Sequence, residues 1–406
     1  MPRNPRPIVS IGAGGIVRDA HYPAYRKAGF EVLGLFDPNA DSARKTAEMF
    51  GVKRVFETVE QAVDARGVVF DVAVPADQIV PVLRALPDRA VALIQKPMGR
   101  DLAEAKKILA ICRAKKLVAA INFQLRFSPN MLALKHAIER GHLGELCDLD
   151  VRVNTYMPWH LWEFMRGIPR MEILYHSIHY LDLIRSILGE PSSVHAAAVP
   201  HPSLREYADT RTSAILVYDN RVRCSLFTNH AHTFGPEHAC SQIQIEGTRG
   251  AAFAQMGVNL DYPRGRPDEL VFAQRAEHVD SREQASAAST RKRSARRSGA
   301  RLSGARLSAA QHSGAQRTSA RRTGATGSLW NSVTLAGSWF PDAFMGTMSN
   351  LQRFVSGEDK VLETSVEDAV KTMALVEALY RSNSRPGTPI PNVAGSSRRA
   401  RHTRTR

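Results

Sequence analysis

The segment from Tyr175 to Asp182 carries side chains that can move protons. On a helix, Tyr175, His179 and Asp182 would share one face, at spacings of four and three residues. A second histidine, His176, lies three residues before His179. Because an imidazole titrates near neutral pH, the segment predicts an acid–base site with His179 and Tyr175 as candidate catalytic residues. Buried structural histidines are the alternative, and a histidine pair without a further assigned ligand predicts no metal site.

A glycine-rich turn, Gly12 to Ile16, follows the first predicted strand and opens a helix. Backbone amides and the helix dipole at such a turn can hold a pyrophosphate. Asp37 stands 22 residues after Gly15, where a carboxylate binds a ribose diol and disfavours a 2′-phosphate. The alternative is a plain glycine turn with a helix-capping aspartate. The pattern predicts NAD, with NADP less favoured, held by Gly12, Gly14, Gly15, Ile16 and Asp37.

Lys96 follows the fifth predicted strand directly, in the sequence Gln95-Lys96-Pro97. Ligands of open α/β sheets bind at this edge of the sheet. The ammonium can donate to a hydroxyl or carbonyl oxygen and stabilise developing negative charge, and a nearby cationic nicotinamide would lower its pKa. Lys96 is therefore a candidate catalytic and cofactor-binding residue. A solvated lysine at a strand end is the alternative.

The elements that must position these residues are visible in the first 123 residues, where short β-branched runs alternate with helical patterns. This alternation is typical of a parallel sheet with helices on both faces. Gly29 and Gly51 stand where left-handed residues would end two helices. Six strands suit a dinucleotide-binding fold, and they are predicted over 8–11, 32–36, 52–56, 68–74, 91–94 and 118–123.

From Leu125 to about Leu270 the pattern changes to longer alternating strands. The strands 213–218 and 222–228 are joined by Tyr218-Asp219-Asn220-Arg221, which predicts a hairpin in an antiparallel sheet. Helices are predicted over 178–188 and 366–379, the second with Ser365 as its N-cap.

A chain of 406 residues exceeds the size at which one hydrophobic core keeps growing, so two domains are expected. The predicted class is α/β. We predict a Rossmann domain with a parallel sheet over 1–123. An α+β domain with a large open antiparallel sheet would follow over 124–280 and 328–390.

The net charge of +16 is confined to two segments. Residues 281–327 hold eleven Arg and Lys against one acid, and residues 383–406 hold six Arg and no acid. The first segment is rich in Arg, Ser and Ala and has no aromatic residue, so we predict a disordered insertion there and a disordered basic tail over 391–406. An RNA or membrane tether and a sequence artefact are the alternatives. Without aromatic residues that could stack on bases, a nucleic-acid partner is not expected.

Neither a secretory segment nor a run of about 18 apolar residues occurs in the sequence. We therefore expect a cytoplasmic protein without a membrane partner. The four cysteines are scattered without CxxC spacing, which predicts reduced thiols.

Four stretches together resemble the Gfo/Idh/MocA oxidoreductases, the glucose-fructose oxidoreductase and inositol dehydrogenase family. They are GAGGI with Asp37, QKPMG, NFQLRFSP over 122–129 and HSIHYLD over 176–182. The resemblance spans most of residues 7–390, apart from the Arg-rich insertion. It implies a Rossmann domain, hydride transfer between NAD(H) and a sugar, cyclitol or related polyol, and a homo-oligomer formed through the antiparallel sheet.

The resemblance also implies roles for single residues. The catalytic lysine of the family's EKP motif corresponds to Lys96, and the histidine of its D-x-x-x-H-x-x-D motif corresponds to His179. Lys96 would polarise the reacting oxygen and His179 would be the general base in oxidation and the acid in reduction. Pro75 and Lys96 would lie beside the nicotinamide.

Several positions depart from the family's pattern. Val17 replaces the third glycine of G-x-G-x-x-G, Gln95 replaces the glutamate of EKP, and Ile79 replaces a histidine of the P-x-x-x-H motif. Tyr175 replaces the first acid of the histidine motif. Without that carboxylate, Tyr175 or His176 must orient His179, or the rate falls.

The substrate pocket is expected to combine polar groups with an aromatic platform, as sugar sites do. Surface arginines and core tryptophans are the alternative reading of the same residues. Two other functions remain open, a dinucleotide-binding sensor or regulator with little catalysis and an NAD-dependent glycosidase. The candidates for the substrate pocket are Arg126, Trp159, Trp162, Arg166 and His176.

Overall fold

The β-branched runs at the start of the chain form a five-stranded sheet. The computed structural model describes residues 1–262, 264–274 and 330–389, so the predicted insertion 281–327 and tail 391–406 lie outside the described residues. The strands are Ile8–Ile11 (β1), Val32–Phe36 (β2), Val69–Val72 (β3), Val91–Ile94 (β4) and Val118–Ile121 (β5). They run parallel in the order β2-β1-β3-β4-β5. The predicted Rossmann architecture is confirmed.

The predicted strand over 52–56 is wrong. Only an isolated bridge joins this stretch to the sheet, between Val55 and Leu35. Phe56 is buried, whereas the residues just before it are exposed. The Phe56 ring fills the space beside Gly34 of β2, where an added Cβ would lie 2.7 Å from it. One buried side chain therefore anchors an irregular segment instead of a sixth strand.

Helices alternate with these strands. Their bounds are Tyr22–Ala28 (α1), Ala40–Phe50 (α2), Val59–Val63 (α3), Ile79–Ala85 (α4) and Leu102–Ala114 (α5). Helices α1 and α2 end at Gly29 and Gly51, whose φ angles of 72° and 71° are left-handed, as the sequence predicts. A π-helical turn over Val17–His21 precedes α1.

The second half of the chain builds an eight-stranded sheet. Its strands are Leu146–Asn154 (β6), Ser193–Val199 (β7), Arg211–Tyr218 (β8), Val222–Asn229 (β9), Cys240–Gly247 (β10), Gly250–Gln255 (β11), Glu269–Gln274 (β12) and Trp330–Ser332 (β13). The order is β13-β12-β11-β10-β6-β9-β8-β7. The sheet is antiparallel as predicted, except that β6 and β9 run parallel. The predicted hairpin joins β8 to β9, with φ angles of 46° at Asp219 and 60° at Asn220.

The remaining helices connect the two halves. They are Pro129–Glu139 (α6), Ile178–Leu188 (α7), Asp342–Val355 (α8) and Val366–Asn383 (α9). Phe344 and Met348 of α8 share a buried cluster with Val17 and Tyr25 of the Rossmann half. Helix α9, capped by the predicted Ser365, packs on α5 and on β7. Residues predicted to belong to the second domain therefore also complete the core of the first.

Among the described residues, no helix is long and apolar enough to cross a bilayer. The four cysteines are free thiols, as predicted. Burial raises the pKa of both Cys112 and Cys224 to about 12, so these thiols stay protonated at neutral pH.

Candidate active site

A cavity of about 940 Å³ lies at the carboxyl edge of the parallel sheet. The turns after β1, β2, β3 and β4 form one wall, and the segment leading into α7 forms part of the other. Ligands of open parallel sheets bind at this edge, where the strand order reverses beside β1. The cavity brings together predicted site residues from both halves, namely Gly12, Gly14, Gly15, Ile16, Asp37, Pro75, Lys96, Trp159, Trp162, Tyr175, His176 and His179.

The glycine turn after β1 fits a diphosphate. Gly12 has a φ of 107°, and an added Cβ would lie 2.2 Å from the carbonyl oxygen of Ala73. The turn can therefore approach β3 this closely only with glycine at this position. Gly14 has no atom within 4 Å of an added Cβ, so the space in front of its backbone is open for a ligand. This space begins at a helix N-terminus, where an anion is favoured.

Val17 occupies the position of the third glycine in the dinucleotide pattern and is fully buried. The helix is π-helical from Val17 to His21. The Nδ1 of His21, in the same turn, lies 2.9 Å from a carboxylate oxygen of the buried Asp71. With valine at this position the glycine turn still lines the cavity.

Asp37 is fixed at the end of β2. Its two carboxylate oxygens accept hydrogen bonds from the backbone N–H groups of Ala13, at 2.7 Å, and Asn39, at 2.9 Å. Each oxygen keeps a further lone pair, so the carboxylate can still accept hydrogen bonds from ribose hydroxyls. A 2′-phosphate at this position would place like charges together.

Lys96 links the two halves across the cavity. Its Nζ donates a hydrogen bond of 2.6 Å to the carbonyl oxygen of Tyr175. Burial lowers the pKa of Lys96 to about 8, so the amine is still mainly protonated at pH 7. An ammonium has three N–H donors, and two of them remain for a ligand in the cavity.

His179 is buried beside Lys96 on the cavity wall. Its Nδ1 has no hydrogen-bond partner among the described residues, and its ring packs edge-on against Trp339 with a centroid distance of 5.6 Å. Burial and the nearby Lys96 hold the pKa of His179 well below its usual value. The imidazole is therefore neutral at pH 7 and can accept a proton.

The side chain of Asp182 does not orient His179, although the sequence places both on one predicted helix face. The Asp182 carboxylate accepts hydrogen bonds from Nε of Arg126 at 2.5 Å, Nη2 of Arg126 at 2.6 Å and the Thr372 hydroxyl at 2.9 Å. A π-helical turn over Ile173–Ser177 also changes the spacing of side chains before α7. Among the described residues, His179 therefore has no carboxylate partner, as the replacement of the first acid by Tyr175 predicts.

Two residues predicted for the substrate pocket lie elsewhere. Arg126 is held by Asp182 on α7 and by Asp368 on α9, the second at 2.6 Å, so these two carboxylates keep its guanidinium away from the cavity wall. Arg166 is exposed and forms an ion pair with Glu163 at 3.6 Å. Its charged group remains in water, although Glu163 itself lines the cavity.

Tyr175 is half-buried, with its ring against Phe164 at a centroid distance of 5.8 Å. Burial raises the pKa of Tyr175 to about 12, so the phenol stays protonated. No hydrogen bond joins Tyr175 to His179 in the described part of the chain, so the phenol does not take over the role of the missing carboxylate there.

Aromatic side chains form the wall opposite the glycine turn. Trp159 and Trp162 meet edge to face, with ring centroids 6.2 Å apart. The Nε1 of Trp159 has no hydrogen-bond partner among the described residues, and neither does the Oε1 of Gln124. The sequence analysis missed Gln124 as a site residue, although it stands in the family-like stretch after β5. It also missed Asn259, Tyr262 and Trp339, which line the cavity from distant parts of the chain.

Comparison with known proteins gives partial matches. The uncharacterized oxidoreductase YhhX of Escherichia coli is 33% identical over 112 residues, which are 27% of this chain and 32% of that protein. D-apiose dehydrogenase of Paraburkholderia graminis is 24% identical over 59% of this chain and 65% of its own length. Inositol 2-dehydrogenase of Rhizobium meliloti is 23% identical over 60% of this chain and 74% of its own length. The first two matches thus span less than two thirds of the relatives' lengths.

The match to solved structures covers most of the chain, and two family models identify the family. An oxidoreductase from Agrobacterium radiobacter, solved with NAD+, L-tartaric acid and magnesium, superposes with a TM-score of 0.65 at 17% identity, covering 94% of this chain and 96% of that one. Residues 7–123 match the family model described as an oxidoreductase family with an NAD-binding Rossmann fold. Residues 131–253 match the GFO/IDH/MocA C-terminal domain. The chain therefore belongs to the Gfo/Idh/MocA family of oxidoreductases, with an NAD-binding Rossmann domain.

Proposed function

We propose that this protein transfers a hydride between NAD(H) and the hydroxyl or ketone carbon of a sugar, cyclitol or related polyol. One observation carries the proposal. Lys96 of the Rossmann half and His179 of the other half line the same cavity as the glycine turn and Asp37. Two of the relatives named above are dehydrogenases of a sugar and of a cyclitol, which supports this substrate class.

The residues of the cavity supply the proton chemistry of the proposed reaction. NAD+, when bound, supplies the acceptor for the hydride that leaves the substrate carbon. In oxidation, the neutral imidazole of His179 takes the proton of the hydroxyl, and the C–O bond becomes a carbonyl. Lys96 donates a hydrogen bond to the same oxygen and stabilises its negative charge. In reduction, His179 returns the proton to the oxygen.

The walls of the cavity favour a ligand rich in hydroxyl groups. The tryptophans Trp159 and Trp162 offer an apolar platform, while the Lys96 ammonium, bonded to the Tyr175 carbonyl, keeps N–H donors for hydroxyl groups. Sugar and polyol rings present both an apolar face and hydroxyl groups at their edges. Shape and polarity thus agree with the proposed substrate class.

We also propose that the chain self-associates through the open face of its eight-stranded sheet. Ile215 of β8 is 53% exposed and Phe227 of β9 is 40% exposed, and the two strands are direct neighbours. Burial of such side chains favours association with a second copy of the chain.

The test of the proposed activity combines binding and turnover by the full chain. NADH is titrated by fluorescence, and a panel of sugars, cyclitols and glycosides is then screened with NAD+ for NADH, the keto product and free sugar. Saturable NADH binding with equal amounts of NADH and ketone supports hydride transfer. Binding without turnover across the panel would instead indicate a sensor, and release of free sugar from glycosides without net NADH would indicate a glycosidase. Either of these results overturns the proposal.

A further inference from the structure

A cluster of three buried side chains lies behind the cavity wall. Glu172, His176 and His230 each place one potential ligand atom within 4.8 Å of the others. Glu172 and His176 are four residues apart on the helical turn that leads into α7, and His230 follows β9. The sequence predicts no metal ligand beyond the histidine pair His176 and His179, whereas the fold brings to His176 a carboxylate and an imidazole that follows a distant strand.

The Glu172 carboxylate is fully buried. It accepts hydrogen bonds from the hydroxyls of Ser177, at 2.7 Å, and Thr212, and from the His230 ring at 3.1 Å. Among the described residues, no Lys or Arg forms an ion pair with it. A buried carboxylate is stable only when it is paired or coordinates a metal. The described residues therefore hold this carboxylate in place, but none of them brings a permanent positive charge next to it.

Each imidazole has a nitrogen close to this carboxylate cluster. The Nε2 of His230 contacts the Glu172 carboxylate at 3.1 Å, and the Nδ1 of His176 is buried without a hydrogen-bond partner among the described residues. The centroids of the two rings are 3.9 Å apart. The hydroxyls of Ser177 and Thr212 fix the carboxylate, and partners that fix ligand side chains in this way are typical of the surroundings of a metal site.

We propose that Glu172, His176 and His230 bind a divalent transition-metal ion, with zinc as the ion that this donor set favours. Two imidazole nitrogens and one carboxylate oxygen suit zinc, whereas magnesium and calcium prefer oxygen ligands. Bonds of about 2.1 Å in a tetrahedral site would hold the ligand atoms about 3.4 Å apart. The Glu172 Oε1 and His230 Nε2 atoms are already 3.1 Å apart, and the His176 ligand atom lies within 4.8 Å of both, so its approach to about 3.4 Å completes the site. Three protein ligands leave one position open, beside a histidine that also lines the cavity.

The test measures metal binding by the full chain without NAD or substrate. Chelator-treated protein is titrated with Zn²⁺ against a chromophoric competitor, and with Co²⁺ by visible absorption. We expect one equivalent to bind with a tetrahedral Co²⁺ spectrum. The substitutions Glu172→Gln and His230→Gln should each weaken binding by more than about 100-fold. His232→Gln is the matched control, because His232 lies two residues further on, bonded to Asn154 and Gly235, and this variant should bind like wild type.

Three results would overturn the proposal. They are the absence of stoichiometric binding, equal affinity in wild type and Glu172→Gln, and a thiolate charge-transfer band that assigns the metal to a cysteine. If His230→Gln fails to fold, Glu172→Gln decides, because it keeps the size of the side chain and removes only its charge. Because neither cofactor nor polyol is present, the result is independent of the proposed hydride transfer. NADH titration of the same variants shows whether the dinucleotide site remains intact.

Discussion

Burial lowers the pKa of both Lys96 and His179, with opposite consequences for their charge at neutral pH. The pKa of Lys96 falls only to about 8, so the amine stays mainly protonated. The pKa of His179 falls well below its usual value, so the imidazole is neutral. One cavity thus holds a charged hydrogen-bond donor and a neutral proton acceptor. Oxidation of a hydroxyl needs this combination.

The charge of Lys96 predicts how ketone reduction depends on pH. Reduction also needs the protonated form of His179, whose pKa lies well below its usual value, so kcat/KM for reduction should decline with rising pH throughout. Because the Lys96 ammonium is present below its pKa and lost above it, the decline should become steeper above about pH 8 in the wild type. Lys96→Arg is the comparison, since a guanidinium stays charged throughout this range. The measurement is kcat/KM from pH 6 to about 10. A profile that is the same for wild type and Lys96→Arg would contradict the role of this ammonium.

The position of Asp37 predicts cofactor selectivity. Asp37→Ser removes charge-assisted hydrogen bonds to the ribose, each worth about 1.5–3 kcal/mol, so the Kd for NADH should rise at least about tenfold. Affinity for NADPH should rise, because a negative charge beside the 2′-phosphate is lost. Fluorescence titration of both cofactors measures the change. Asp41→Ser, at an exposed position on α2, is the control, and an equal effect of both substitutions would count against the assignment.

At the scale of elements, the sequence predicts local features well and long-range pairing poorly. The turn at Asp219 and Asn220, the cap at Ser365 and the glycine turn at Gly12 follow from neighbouring residues, and the structure contains all three. The parallel pairing of β6 with β9 could not be predicted, because it joins residues such as Asp148 and Arg223 that are far apart in the chain.

The same contrast between local and long-range features applies to the residues of the site. Lys96 could be placed because the carboxyl edge of a parallel sheet is the usual binding edge. Arg126, predicted for the substrate pocket, does not line the cavity in the structure, since the carboxylates that bind it come from α7 and α9, and nothing local to the sequence reveals them. Glu172 and His230 were missed for the same reason. The spacing of four residues between Glu172 and His176 was the one available signal.

The ion pairs of Arg126 predict a structural role between elements. Arg126→Met removes the closest ion pairs of Asp182 and Asp368, and among the described residues Arg185 remains as their cationic partner, at 3.9 Å and 3.1 Å. We therefore expect a loss of about 3 kcal/mol in unfolding free energy. The substitution should lower the midpoint of thermal unfolding without changing KM for the polyol. Arg44→Met is the control, because its ion pair with Asp41 is exposed and is worth at most about 1 kcal/mol. A raised KM with unchanged stability would instead return Arg126 to the substrate pocket.

At the scale of the whole molecule, the cavity depends on both halves of the chain. Helix α8 completes the core of the Rossmann half, and Trp339, just before α8, packs against His179 on the cavity wall. The C-terminal part of the chain therefore fixes the positions of the two halves around the proposed site. The position of Lys96 relative to His179 therefore depends on the packing of α8 against the Rossmann half.

The open face of the eight-stranded sheet predicts the oligomeric state. Ile215→Lys combined with Phe227→Lys places two charges on this face, so an oligomer formed through it should dissociate to monomers while the fold is kept. Light scattering coupled to size-exclusion chromatography measures the mass. Val361→Lys is the control, at a position that is 59% exposed outside the sheet. A monomeric wild type, or a double variant that keeps the wild-type mass, would contradict the proposal.

The central claim is that Lys96 and His179 act together on one substrate oxygen beside bound NAD. Single-turnover formation of NADH from the best polyol of the panel tests it most directly, with wild type compared with Lys96→Ala and His179→Ala. Both variants should still bind NADH, and each should slow the hydride-transfer step by about 10²–10⁴-fold, the usual contribution of a positioned acid or base. If either variant that binds NADH forms the reduced cofactor at the wild-type rate, that residue has no part in the chemistry and the claim fails.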